Sequence, residues 1–157
     1  MYINTNIFIN YGIITLDSSS AFQNNSSLTN DGASASITIS GGSGLSNGNG
    51  AGFMTLTNTN GATITINSGC TIINSSGGTI INTNSSTITN NSGATITNIG
   101  VVPIYGPGII NNKHSGIINN KSGATFANTT ATFNNYVSES AVFTNNGTYT
   151  GNPPTNF

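Results

Sequence analysis

With 157 residues the chain fits one domain, or one domain with a small annex, and only 3% of its residues are charged, for a formal net charge of -1. Such scarcity leaves neither solubility nor the steering of a partner to charge, and two lysines without an arginine exclude a nucleic-acid surface. The single Cys70 rules out an internal disulfide, and no 18-residue apolar run exists to cross a membrane as a helix.

Asn, Thr, Ser and Gly make up about three-fifths of the chain, a composition that without pattern would predict disorder. Pattern is present from the start. MYINTNIFIN lacks the basic residues and the apolar stretch of a secretory leader, and instead opens two β-branched runs, Ile7 to Ile9 and Ile13 to Leu16, around Asn10-Tyr11-Gly12. These predict a strand pair or the first rungs of a stack. Ala21-Phe22 and Leu28-Thr29 echo the same small-then-large theme, and residues 34–40 (SASITIS) alternate strictly, as a half-buried strand does. Residues 41–52 (GGSGLSNGNGAG) are the most glycine-rich piece and predict a flexible loop, or a boundary closing an N-terminal β segment over 1–52. Phosphate cradling is excluded there because no Lys follows and no GxGxxG or Walker spacing precedes a helix. A calcium-binding nonapeptide repeat fails for want of its Asp.

From 53 to 152 the sequence predicts a repeat array. After FMTLTNTN, Gly61 to Gly100 divides into five blocks of eight: GATITINS, GCTIINSS, GGTIINTN, SSTITNNS and GATITNIG. Thr stands third in each (Thr63, Thr71, Thr79, Thr87, Thr95) and Ile fourth (Ile64, Ile72, Ile80, Ile88, Ile96). A fixed short period means one structural unit stacked on copies of itself. Thr and Ile favour extended backbone, whereas Gly, Asn and Ser favour turns, so each block is one short strand plus one corner. Side chains alternate faces along a strand. Ile64 pointing inward therefore carries Ala62 and Ile66 with it and turns Thr63 and Thr65 out. The same parity places Cys70, Gly78, Ser86 and Ala94 in the small inward slot. Asn74, Asn82, Asn90 and Asn98 fall where the strand must bend, and stacked asparagines hydrogen-bond along a stack.

The rhythm breaks at 101–107, where Pro103 and Pro107 each remove a backbone donor and predict a bulged-out loop. It resumes as GIINNKHS, GIINNKS, GATFANTT, ATFNN, AVFTNN and GTYTGN, with Phe126, Phe133, Phe143 and Tyr149 in the large inward place and hence a wider core. The tail, 153–157, begins Pro153-Pro154 and is expected to be extended and poorly paired. The fold class is thus all-β, a β-solenoid of roughly eight-residue strand-corner repeats. Two or three units per coil give roughly seven to ten rungs and a rod on the order of 30 to 50 Å. Neither end shows a helical or charged cap, which predicts end-to-end stacking or exchange of a terminal strand.

The G-A-T-I-T-N and G-T-I-I-N units, from Phe53 onward, resemble the glycine-, threonine- and asparagine-rich repeats of extracellular β-solenoid fibres. These include filamentous-haemagglutinin-like passengers and surface-appendage fibre proteins. The resemblance implies a structural, secreted or surface-displayed role on a cell, virion or spore.

Chemistry has little to work with, and no enzyme, cofactor or metal site is expected. His114, the only histidine, sits between Lys113 and Ser115 in a predicted turn, with no nucleophile to serve. Asp17, Asp31 and Glu139 are far apart and lack metal-ligand spacing. Lys113 and Lys121 fall in successive short repeats that would align them as a small ladder. Cys70 reads as a core thiol, with an intermolecular crosslink as its other use. Three functions remain. The first is a self-assembling extracellular filament whose partner is itself. The second is an ice-binding solenoid using outward Thr63/Thr65, Thr87/Thr89 and Thr95/Thr97, interrupted by Ile73 and Ile81. The third is a tail-fibre or adhesin domain stacking a glycan or host surface on Tyr11, Tyr105, Tyr136 and Tyr149.

Overall fold

The structure, a computed structural model, describes residues 1–48, 53–75, 77–99 and 107–157. The described residues form twenty strands in a triangular coil, three to a rung. Rung one holds β1 (Tyr2–Asn4), β2 (Ile7–Asn10) and β3 (Ile13–Leu16), and rung two β4 (Ala21–Asn24), β5 (Ser27–Asp31) and β6 (Ser36–Ile39). Rung three holds β7 (Gly44–Asn47), β8 (Met54–Thr59) and β9 (Thr63–Ile66), and rung four β10 (Thr71–Asn74), β11 (Gly78–Asn82) and β12 (Thr87–Asn90). Rung five holds β13 (Thr95–Ile99), β14 (Ile109–Asn112) and β15 (Ile117–Asn120), and rung six β16 (Thr125–Thr129), β17 (Thr132–Asn135) and β18 (Val142–Asn145). A seventh, incomplete rung holds β19 (Thr148–Gly151) and β20 (Thr155–Asn156).

Every third strand stacks in parallel, giving two seven-stranded faces that begin with β1 and β2 and a six-stranded face that begins with β3. The fold is an all-β solenoid. Its unit is a tetrad in which the second residue is large and apolar and the fourth is Asn: IFIN, AFQN, GLSN, TIIN, TITN, IINN, TFAN, TFNN, VFTN. Alternation buries positions two and four and exposes positions one and three, as in β10, where Ile72 and Asn74 are buried while Thr71 and Ile73 face outward. Corners follow in the left-handed region, for example Asn84 and Ser85 at φ 52° and 61°, a conformation that small polar residues tolerate best. Elsewhere the corner demands glycine. At Gly116 a Cβ would lie 2.6 Å from both Asn112 Oδ1 and Asn82 O, so the chain passes too close for any side chain.

Consecutive octads occupy consecutive faces instead of lying on one another. Ile72 pairs with Ile96 on the first face, Ile80 with Leu56 and Ile110 on the second, and Ile64 with Ile37 and Ile88 on the third. The stacking distance in sequence is therefore one coil, and twenty strands at three per rung and about 4.8 Å per rung give a rod of roughly 32 Å, at the low end of what the sequence suggested.

Two segments differ from expectation. The glycine-rich stretch carries β7, paired with β4 and β10. Leu45 and Asn47 supply the buried pair of the tetrad there, so the glycines on either side turn corners and do not open a loop. No seam separates 1–48 from the later rungs, because β5 pairs with β8 and β6 with β9. The tail is also paired: β20 lies on β17, Phe157 donates its N-H to Asn135 O at 3.1 Å, and its ring stacks on Tyr136 at 5.1 Å. Pro153 and Pro154 precede the pairing and do not prevent it. Residues 49–52, and 101–106 of the loop expected over 101–107, lie outside the described residues.

One core runs the length of the coil, from Leu16 and Phe22 through the stacked isoleucines to Phe126 and Phe133. Burial of each such side chain contributes about 1.5–3 kcal/mol. Aromatic clusters stand at both ends. Phe126 stacks on Phe133 and Tyr149 at 5.2 and 5.4 Å, and Tyr2 meets Phe22 at 4.9 Å.

Candidate assembly and binding surfaces

The corner asparagines form columns, and the sequence revealed only part of them. On the first face Asn4, Asn24, Asn47, Asn74, Asn98 and Asn128 are linked by five bonds of 2.8 Å, each Nδ2 donating to the Oδ1 one rung further on. On the second face Asn10, Asn30, Asn58, Asn82, Asn112 and Asn135 do the same at 2.8 to 3.0 Å. Each amide also seals its corner: Asn82 Nδ2 donates to Ser86 O and Ile117 O, both at 3.0 Å. A buried carbonyl left without a donor costs about 1–3 kcal/mol, so replacing one amide within such a column by an apolar side chain orphans two carbonyls and breaks the column.

The third corner differs. Leu16, Ile39 and Ile66 occupy it in the first three rungs, and only then does a column begin, Asn90 to Asn120 at 2.9 Å and Asn120 to Asn145 at 2.7 Å. Ile66 offers Asn90 no donor, and Asn90 Oδ1 is buried without a partner. Thus Asn74 and Asn98 share one column, while Asn82 and Asn90 belong to the other two. The sequence signal for the full columns is the Asn at position four of the early tetrads of the first two faces, starting with Asn4 and Asn10.

Ile64, Ile72, Ile80, Ile88, Ile96, Phe126 and Phe133 are all within 3% of complete burial, and Phe143 is half-buried on the last full rung. Cys70 is a free, buried thiol in the small inward slot, and in this fold it presents no sulfur to a second chain. Lys113 follows β14 and Lys121 follows β15, so they stand at different corners of one rung and form no ladder. His114 is at a corner, with its ring 3.1 Å from Thr83 Oγ1 and 3.4 Å from Glu139 Oε2. Among the described residues no three of His, Cys, Asp and Glu approach one another as metal ligands would. No helix is long and apolar enough to cross a membrane, among the same residues.

Outward threonines occur on all three faces, and on the third they stand side by side in successive rungs. Ser36, Thr63 and Thr87 align in one column and Thr15, Thr38, Thr65 and Thr89 in the other. Ile73 and Ile81 lie on the first and second faces, outside these columns; Thr95 and Thr97 are on the first face. The tyrosines do not converge. Tyr11 is at a corner of rung one, Tyr149 packs inward on Phe126, Tyr136 stacks on Phe157, and Tyr105 lies outside the described residues.

Both ends of the coil are open. Among the described residues, rung one has no strand beneath it. Its inward Tyr2 is 50% exposed, and Tyr2, Phe8, Ile14, Leu16 and Phe22 line an apolar mouth of about 220 Å³. Its outward residues are apolar as well: Ile3, Ile7, Ile9 and Ile13 are 46–78% exposed. At the far end β18, β19 and β20 have no strand above them among the described residues, and Phe143 and Tyr149 are only partly covered.

A three-sided parallel β-solenoid is therefore the class the geometry defines. No protein-family model matches this chain, and no curated protein or solved structure matches it.

Proposed function

We propose that this chain is a structural subunit that self-assembles, through its open solenoid ends or by exchange of a terminal strand, into a filament outside a cell or on a cell, virion or spore surface. The observation that carries this is the pair of uncovered end rungs. Each presents a row of unpaired backbone N-H and C=O groups around exposed core side chains, with Tyr2, Phe8 and Ile14 at one end and Phe143 and Tyr149 at the other. Unpaired strand edges of this kind template further pairing, and a head-to-tail contact that does not close on itself propagates as a fibre. The role is mechanical, resting on backbone ladders and a dry core, with adhesion or matrix formation as its use. Negative-stain microscopy of purified protein tests it: filaments are expected, and monodisperse particles at all concentrations tried would overturn it.

The hydroxyl columns of the third face support a second role, binding to ice. Threonines repeat there about every 4.8 Å along the axis and about 6.7 Å across it, a flat array of methyl and hydroxyl groups. Thermal hysteresis that disappears in Thr63→Ala/Thr65→Ala would establish it; hysteresis unchanged by that variant, or none, would remove it.

A further inference from the structure

The two ends of the coil are complementary in one rotational setting. The first and second faces have seven strands and the third has six, so the far end rises by a step with β18 lowest. We propose that a second copy of this chain docks its β1 onto β18, filling that step and joining the two solenoids head to tail with each copy turned by a third of a turn. The inference rests on the assembly reading above and adds its register.

Three observations point to this setting. The first is the shape of the step. A coil advances strand by strand around its three faces, and β20 lies on the second face, so the next position in the spiral is above β18. Only β1 placed there lets β2 and β3 follow onto β19 and β20 at the right heights. Placing β1 over β19 instead leaves a one-strand gap between β3 and β18.

Second, the side-chain amides match. Asn145 accepts from Asn120 at 2.7 Å, and its own Nδ2 has no protein partner among the described residues. At the other end Asn4 donates to Asn24 at 2.8 Å and holds its Oδ1 toward the open side, where it receives only Asn6 N at 3.2 Å. Stacking β1 on β18 brings that donor to that acceptor and continues the third column across the joint. A carbonyl oxygen has two lone pairs, so the Asn6 contact survives. Each setting continues one amide column, Asn145 to Asn4 when rotated and Asn156 to Asn10 when not; the unrotated one leaves Asn4 over Gly151 and Asn145 facing Leu16 across the gap, the rotated one Asn10 over Gly151 and Leu16 over Asn156, so the step in the far end decides between them.

Third, the aromatic groups fill the mouth. Register places Tyr2 over Phe143 and Phe8 over Tyr149, rings partly uncovered at their own ends. The backbone agrees with this direction of growth. Val142 and Asn146 donate downward to Gly116 and Asn120, so by the alternation of a parallel ladder Phe143 and Asn145 turn their backbone groups up to the incoming strand. Asn4 O accepts from Asn25 N above it, which leaves Ile3 directed down to meet them.

Paired cysteines read the register directly. Adjacent parallel strands hold facing residues about 4.8 Å apart, within the span of a disulfide. Ile3 faces outward on β1, Thr144 holds the matching outward place on β18 and Thr150 that on β19. On oxidation Ile3→Cys/Thr144→Cys should give a ladder of covalent oligomers on a non-reducing gel, and Ile3→Cys/Thr150→Cys should stay monomeric. Buried Cys70 stays out of the exchange. The reverse pattern, or filaments by microscopy with neither pair crosslinked, would overturn this register while leaving assembly intact. No crosslink and no filament from either variant or the parent chain would overturn assembly and the register together.

Discussion

Two corners of the triangle carry asparagine from the first rung to the last full rung, while the third begins with Leu16, Ile39 and Ile66 and changes to Asn90, Asn120 and Asn145 halfway up. The contrast shows that the corner position accepts either of two self-consistent solutions. An amide column satisfies the buried carbonyls of the bend, and an apolar stack enlarges the core. Strain falls where one solution hands over to the other, and the unpartnered Asn90 Oδ1 marks that place. Columns within the long ladders have no such defect, so their members are expected to be worth more than Asn90.

Substitutions can break this contrast. The largest expected effect is Asn82→Leu, which removes donors to Asn112, Ser86 and Ile117 and strands Asn58 below. A loss of about 4 kcal/mol, summed from groups at about 1–3 kcal/mol each, should appear in urea unfolding. Asn90→Leu should cost about half as much, because it removes two donated bonds and also an orphaned oxygen. Equal losses for the two would mean that the handover is not a weak point. Ile66→Asn should then be about 1–2 kcal/mol milder than Ile64→Asn, since only the former supplies Asn90 Oδ1 with a donor. The same defect sharpens at Ser86, whose hydroxyl is buried without a partner in a slot that holds Ala62 and Ala94 elsewhere. Ser86→Ala should raise stability by about 1 kcal/mol; a fall would show that the hydroxyl is satisfied.

The smallest effect is alkaline. Burial raises the Tyr149 phenol above its ordinary value of 10.0, partly offset by a side-chain hydrogen bond to Asn128. A group whose folded pKa is raised stabilises the fold fully below its unfolded pKa and loses that contribution as pH climbs through the folded value. Stability should therefore decline above about pH 10, and Tyr149→Phe should lessen the decline when melting temperature is followed against pH.

The solenoid itself is legible in the octads, because a repeat with Ile fourth and Thr third specifies a strand with one buried face. The number of strands per rung is not. Blocks on all three faces obey the same rule, so Ile64, Ile72 and Ile80 look alike although they never stack on one another. Composition hides β7: Gly44 and Ser46 are outward positions that make no demand on side chain, and only Leu45 and Asn47 carry its identity. The tail defies its sequence because Pro153 and Pro154 lack donors, yet Thr155 and Asn156 need only two partners on β17. The threonine face looks broken in sequence only if Ile73 and Ile81 are assigned to it, and that assignment depends on the unreadable count of strands.

Every amide in the asparagine columns donates toward the later rung, so each holds its oxygen toward β1–β3 and its N-H toward β18–β20. Their dipoles add, offset in part by the outer corner amides of Asn60, Asn67, Asn84, Asn91 and Asn134, which donate toward the earlier rung, whereas the alternating backbone dipoles of a sheet largely cancel. A rod with a formal net charge of -1 thus carries a permanent electrical axis, positive toward its last strands, and would align in an applied field much as a compass needle does in a magnetic one.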